Sequence, residues 1–548
     1  MKRGLWMQGM SLKLGKRFTI LAVIVLLVSS GIWYLYLYSL SAPVAIKKDL
    51  VGIITINEVI LSSSTADKYS RIINMAMMND SVKGIVLRVD CPGGYAHLIE
   101  QVYLDILQLK QKKPLVTSIT SALSGGYYIA VAADYIYVHP SSMVGNIGVV
   151  GVGPPVLIPS ESVLESGPQK VTGFSGLYFP FNLTHALDNF VSAVVSSRGV
   201  RLKLPSTQLR RGLIYIGSEA VSSGLVDEVG SLQKTIDKIA KEAKLTKYEV
   251  VDLNSLYEQH YYPTKASSQR SVEWGNLTVE NLNRINPPPA LYYLYLPPES
   301  FARGLYYNES STEALAPNFT GKEKGVVLVD RTHGNLVSAW EFNTLAGELT
   351  KRNWTICFVY RWWDLDSALD DASCLIIASP TIPYSENEVN RIEEFVNDGG
   401  TLLLFFDPAA EYVKISTLFE PINTLSARFG LSYAKGYLYN EKEHYGFYRN
   451  IYVRGFVDHE LTRGLSSVVL FTATHIYTAG RKVAWTTGNT YSSTAERSFN
   501  YTTIAVVGEK GRVIAFGDIS FLDEPFCYVE DNYRLMENLV SFITKAQR

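Results

Sequence analysis

Apolar residues come in short runs along this chain, and the spacing between them switches between two periods. Val51–Ile56 (VGIITI), Gly84–Val89 (GIVLRV), Pro114–Ile119 (PLVTSI) and Tyr135–Val138 (YIYV) are near-continuous apolar runs, the pattern of strands buried on both faces. Between the second and third, Ile99, Val102, Tyr103 and Ile106 recur at helical spacing. Strands alternating with amphipathic helices predict βαβ units and a largely parallel sheet covered on both faces. The pattern persists to about Lys244. A second α/β unit opens at Gly325–Asp330 (GVVLVD), continues through Ile356–Tyr360, Cys374–Ala378 and Thr401–Phe406, and closes near Val513–Asp518. Within it, Ser385 and Glu388 form a capping box ahead of Val389, Ile392 and Phe395, and Gly399-Gly400 ends that helix. No sequence repeat relates the two units.

Between them, from about Ser255 to Lys322, the pattern fails. Tyr261-Tyr262-Pro263, Pro287–Pro289 and Pro297-Pro298 interrupt helices and ladders alike, so a semi-rigid linker is expected. The run Leu291–Leu296 is apolar enough to pack onto a neighbouring domain.

At the other end, Phe18–Leu40 carries no charge, and about 20 apolar residues suffice to cross a bilayer as a helix. Lys2, Arg3, Lys13, Lys16 and Arg17 precede it without any acidic residue, which predicts a cytoplasmic N-terminus and everything after about Ala45 on the outer side. The alternative is a cleaved signal peptide, but the run exceeds the usual apolar core of roughly 7–15 residues. The expected organisation is therefore a cytoplasmic N-terminus (1–17), an anchor (18–40), a first domain (45–250), a linker (251–323) and a second α/β domain (324–548). Seven Asn-x-Ser/Thr sequons, from Asn79 to Asn500, lie on the predicted outer side, against roughly four expected by chance.

Composition narrows the function. Of 548 residues, 47% are hydrophobic and 19% charged, so the chain has ample apolar surface for folded domains. A net charge of −1 gives no bulk attraction for nucleic acid. The 4 cysteines fall in no paired metal-ligand spacing and are too few for a disulfide scaffold. Neither a metal nor another cofactor is expected.

The chemistry-bearing segments lie in the first unit. One strand ends in Asp90-Cys91-Pro92-Gly93-Gly94, and the next leads into Ser124-Gly125-Gly126-Tyr127-Tyr128, which opens a helix. In open α/β sheets, sites gather where strand C-termini meet helix N-termini. Gly-Gly lets backbone amides face a substrate without a Cβ in the way, as an oxyanion hole requires. A serine at a helix N-terminus sits where developing negative charge is favoured. Each feature also has a bland reading, since Gly-Gly is a common turn and a serine before a helix is a common N-cap.

Taken together, four segments resemble the signal peptide peptidase A family, membrane-anchored serine proteases with a Clp/crotonase-like fold. They are Gly84–Gly94, Ser124–Ala130, Val144–Val149 (VGNIGV) and Gly217-Ser-Glu-Ala with Gly224-Leu-Val-Asp227, within a resemblance spanning about 51–230. It implies a Ser/Lys dyad. Ser124 is the nucleophile, and Lys170, in Gly167-Pro168-Gln169-Lys170, is the general base. Gly93, Gly94 and Gly125 supply the oxyanion and substrate-backbone amides. A lysine base must be neutral, which requires its pKa to fall about three units, roughly 4 kcal/mol, in a closed apolar site. Val171, Phe174, Leu177, Tyr178, Phe179 and Phe181 are the residues expected to enclose it.

A Ser-His-Asp triad is the rival, but Asn146–Val150 holds no histidine where such relatives carry theirs, and His97 and His139 match no motif. Cys91 stands where the family usually has serine. The implied activity is hydrolysis of extended peptides, such as remnant signal peptides, by a homo-oligomer whose protomers can share each dyad. Two alternatives are a related protease cutting the apolar tail of a partner membrane protein, and a non-catalytic membrane scaffold.

The second unit resembles the flavodoxin-like, glutamine-amidotransferase-like domains that lack their own chemistry, through Leu375–Pro408 and Val513–Leu522. Ser379-Pro380-Thr381 offers no cysteine where an amidotransferase carries one, and Cys374 reads as core. No spacing joins His333 and His444.

Overall fold

Val86 lies between Ile85 and Leu87 in sequence, and the alternation sends these side chains to opposite faces of one sheet. Val86 joins Val51, Val116 and Tyr137 against Ile236, Ile239 and Ala240 of the helix Leu232–Glu242. Ile85 and Leu87 join Ile54, Leu115 and Ile119 against the helices Ser63–Met78 and Ala96–Lys112. Each fully buried aliphatic side chain contributes about 1.5–3 kcal/mol, and both faces are lined with them.

The computed structural model describes residues 21–35, 48–153, 166–261, 277–296, 324–408, 415–508 and 512–545. The strands of the first region are β1 (Leu50–Ile56), β2 (Val82–Cys91), β3 (Gly93–Tyr95), β4 (Leu115–Leu123), β5 (Tyr135–Val138), β6 (Met143–Gly145), β7 (Val150–Val152), β8 (Ile214–Ile216), β9 (Glu228–Val229), β10 (Glu249–Asp252) and β11 (Ala290–Leu294). The main sheet runs β10-β1-β2-β4-β5-β9, all parallel, with β6 continuing beside the end of β4 and β8 antiparallel to it. A separate small antiparallel sheet has the order β3-β11-β7.

That small sheet revises the linker. The described parts of 251–323 include the helices Leu253–Tyr261 and Val279–Ile285 as well as β11. Pro287–Pro289 lie between the helix Val279–Ile285 and β11 and interrupt neither, whereas the other prolines of the stretch lie outside the described residues. Tyr292 and Tyr293 are fully buried.

In the second region a parallel half, in the order 355–359, 326–330, 374–378, 401–405 and 512–516, continues into an antiparallel half of 502–507, 481–486, 450–456 and 468–471. The mixed α/β class agrees with the sequence reading, and the antiparallel half is an addition to it. The capping box forms as expected: the Ser385 amide donates to Glu388 Oε2 at 2.6 Å, and the Glu388 amide donates to Ser385 Oγ at 3.4 Å. The regions touch where Phe181 meets the Tyr445 ring edge-on at 5.2 Å and Arg211 Nη2 donates to Glu441 Oε2 at 3.1 Å.

Residues 21–35 are helical and exposed throughout. Among the described residues no helix is long and apolar enough to cross a membrane, and positions 18–20 and 36–40 of the expected anchor lie outside them.

Candidate active site

Four of the five residues singled out for catalysis meet at the C-terminal ends of β2 and β4. Ser124 follows β4 and precedes the helix Gly125–Ala130 with a positive φ, φ +50° and ψ −120°. Such a backbone costs a non-glycine residue on the order of 1–3 kcal/mol and persists only where its surroundings impose it. Here the Ser124 amide donates to Gly145 O at 2.8 Å, and its carbonyl accepts from the Tyr127 and Tyr128 amides at 2.9 and 3.0 Å. The side chain makes no capping hydrogen bond, so the N-cap reading does not account for this serine.

The glycines are required by close approach. A Cβ on Gly93 (φ +111°) would stand 2.0 Å from Tyr293 O and 2.8 Å from the Gly125 amide nitrogen. On Gly94 it would stand 2.1 Å from Ile60 O, and on Gly126 2.0 Å from Cys91 O. Backbone is therefore brought against backbone around the Ser124 turn, where the Tyr127 and Tyr128 amides of the first helical turn are spent on the Ser124 carbonyl. Gly126 belongs to this set although the motif reading assigned it no role.

Cys91 is buried and points away from chemistry. Its Sγ donates to Glu58 O at 3.2 Å and accepts weakly from the Gly93 amide at 3.4 Å. Burial pushes its thiol up to about 12, which leaves it protonated and inert at neutral pH. His97 and His139 are exposed.

Asp227, from the fourth motif, has a structural task. It takes a bidentate pair from fully buried Arg198, with both N–O distances 2.9 Å, and accepts the Ile136 amide at 2.8 Å. With Tyr127 Oη donating to Leu225 O at 2.7 Å, this fixes the Ser124 helix against the segment that carries the motif.

Lys170 stands apart. It is exposed, in a turn whose amide donates to Gly167 O at 2.9 Å. The residues expected to enclose it do not: Val171 and Tyr178 are more than half exposed. Leu177 packs toward Val469 and Phe471 of the second region, and Phe181 toward Tyr445. Phe174 packs on Phe179 instead, so the lysine stays exposed.

The second region holds a polar cluster that no sequence spacing had signalled. His333 Nδ1 and Nε2 each lie 3.5 Å from a carboxylate, of Asp330 and Glu388 respectively, and its ring stacks on Tyr384 at 3.7 Å. The Tyr384 hydroxyl donates to Asp330. His444 lies elsewhere, with Nδ1 2.9 Å from Asn440 O, and burial lowers its pKa. Among the described residues no His/Cys/Asp/Glu group is arranged to hold a metal ion. Cys374 is fully buried, as expected of a core thiol.

Comparison with known proteins bears on the first region. Residues 107–156, which contain Ser124 and its helix, match Peptidase family S49. Protease 4 of Haemophilus influenzae is 30% identical over 187 residues, covering 31% of this chain and 30% of that protein. The chloroplastic serine protease SPPA of Arabidopsis thaliana is 30% identical over 179 residues, covering 29% of this chain and 26% of that protein. The match thus spans less than a third of either relative. The membrane protease 1510-N, specific for a stomatin homolog from Pyrococcus horikoshii, is 20% identical with a TM-score of 0.25, covering 37% of this chain and 92% of that one. The S49 match agrees with the family resemblance read from the motifs.

Proposed function

We propose that the chain is a membrane-anchored serine endopeptidase that hydrolyses extended peptides, remnant signal peptides among them, on the outer face of the membrane. The observation that carries this reading is Ser124 itself: a strained serine with no capping bond, at a helix N-terminus, among glycines that admit backbone on every side. Ser124 Oγ attacks the peptide carbonyl, and Lys170 takes its proton and returns it to the leaving amine. The Gly93, Gly94 and Gly125 amides stabilise the oxyanion, where one donor is typically worth about 3 kcal/mol. Because Lys170 is exposed in the single chain, a second copy encloses it beside Ser124, which makes assembly part of the mechanism.

The test compares the full chain with Ser124→Ala and Lys170→Ala on an unfolded protein and an apolar fluorogenic peptide, with oligomeric state recorded throughout. Hydrolysis by the parent, and none by either equally assembled variant, supports the dyad. Loss in Ser124→Ala alone assigns the base elsewhere. An inert, assembled parent favours the scaffold reading.

A further inference from the structure

β3 and β7 do not pair with each other; each pairs with β11, a strand supplied from far along the chain. The antiparallel register sets Tyr293 opposite Gly94 and Leu294 opposite Gly93 on one side, and Leu291 opposite Gly151 on the other. The Tyr295 amide extends the ladder by donating to Pro92 O at 2.9 Å. A slot between two short strands, completed only by a third, is the geometry by which an extended peptide joins a sheet. This slot borders Ser124.

The occupant imitates a bound peptide in detail. Tyr293 O is the nearest atom to a Cβ built on Gly93, at 2.0 Å, and on Gly125, at 2.7 Å. A backbone carbonyl therefore stands between two of the glycines assigned to the oxyanion. The Tyr293 side chain fills a buried pocket, stacked on Tyr128 at 5.2 Å and edge-on to Phe190 at 5.4 Å. Its hydroxyl lies 2.8 Å from Ala186 O and 3.0 Å from Glu100 Oε1, so its single proton serves one acceptor at a time. Tyr292 and Leu294 point the other way, onto Val59, Leu61 and the covering residues Leu277 and Leu282. Beneath this cover Ser124 is 1% exposed. A nucleophile so enclosed meets substrate only after something moves.

We infer that β11 is a built-in pseudosubstrate: it closes the peptide slot beside Ser124, and the peptides that displace it are extended and carry a tyrosine-like side chain at the position of Tyr293. This deepens the proposed function and relies on the same slot being the peptide site. It is tested with a fluorescein-labelled peptide of sequence ALYYLYL, that of residues 290–296, offered to full chains. The Ser124→Ala/Tyr293→Ala chain is expected to bind it at least tenfold more tightly than Ser124→Ala alone. With Ser124 intact, Tyr293→Ala is expected to raise hydrolysis of an apolar fluorogenic peptide at least tenfold.

Equal binding by both Ser124→Ala chains, each folded by circular dichroism, overturns the inference, as does binding by neither. Tighter binding with no hydrolysis by any Ser124-containing chain keeps the pseudosubstrate and removes the peptidase reading. Should Tyr293→Ala not fold, hydrogen exchange on the Ser124→Ala chain decides. Excess peptide is expected to expose the amides of 291–294 while β1 and β2 stay protected. Bound peptide with 291–294 still protected overturns the inference.

Discussion

Two serines in this molecule share one backbone device and differ in everything around it. Ser124 and Ser379 each follow a central parallel strand, each has a positive φ (+50° and +41°), and each is 1% exposed. Around Ser124 the neighbours are glycines and helix-terminal amides, a surrounding that favours negative charge. Ser379 Oγ accepts from the Asp407 amide at 3.0 Å, and Ser520 Oγ in turn donates to Asp407 Oδ2 at 3.2 Å. Asp518 is buried close by, hydrogen-bonded to the Ser520 amide at 2.9 Å. Ser379 Oγ thus belongs to a hydrogen-bonded set that includes the Asp407 and Asp518 carboxylates, whereas preorganised amides beside Ser124 would stabilise an oxyanion. A sharp turn at a strand end is therefore a place for chemistry but does not supply it. The electrostatics of the neighbours decide.

Five substitutions press on this difference. The largest expected effect is on activity: Ser124→Ala abolishes peptide hydrolysis, whereas Ser379→Ala leaves it within about twofold, measured as initial rates on one peptide. Comparable losses from both would erase the distinction between the regions.

Next is stability of the first region. Asp227→Ala leaves the Arg198 guanidinium buried without its partner and costs about 3–5 kcal/mol in urea unfolding. A cost below 1 kcal/mol would show that the pair does not hold the Ser124 helix.

In the second region, burial holds the Asp518 carboxyl up to about 6, against an ordinary 3.8. Its folded state then binds more protons than its unfolded state in the window between those values. Stability therefore falls as pH rises from about 4 through 6 and levels off above. Burial raises Asp523 to about 6 as well, so Asp518→Asn is expected to lessen that slope in urea midpoints without abolishing it. An unchanged slope assigns it to other groups.

The smallest effect belongs to an element remote from both serines. Ser385→Ala removes one arm of a capping box and costs about 1 kcal/mol without altering hydrolysis.

Much of this organisation was legible from sequence because it is periodic. The runs predicted at Val51–Ile56, Gly84–Val89, Tyr135–Val138, Cys374–Ala378 and Thr401–Phe406 lie on observed strands, and Ser385 caps the helix it was assigned. Ser124 and its glycines were legible because their motif is local. Three things were not. β3, β7 and β11 are too short to show a period, and their partners are distant in sequence, so pairing cannot be read from either end. The enclosure expected for Lys170 assumed that nearby apolar residues face it, yet Leu177 and Phe181 face the second region. The cluster of Asp330, His333, Tyr384 and Glu388 is assembled by the fold from two separate segments.

The most direct test of the central claim, that Ser124 is an activated nucleophile, is covalent. The assembled full chain and its Tyr293→Ala variant would be exposed to a serine-directed fluorophosphonate, with adducts located by peptide mass mapping over several hours. One adduct is expected, on Ser124, formed faster in Tyr293→Ala and suppressed by Lys170→Ala. Folded, assembled protein that gains no adduct at Ser124 in either chain, or gains it at another serine, would contradict it.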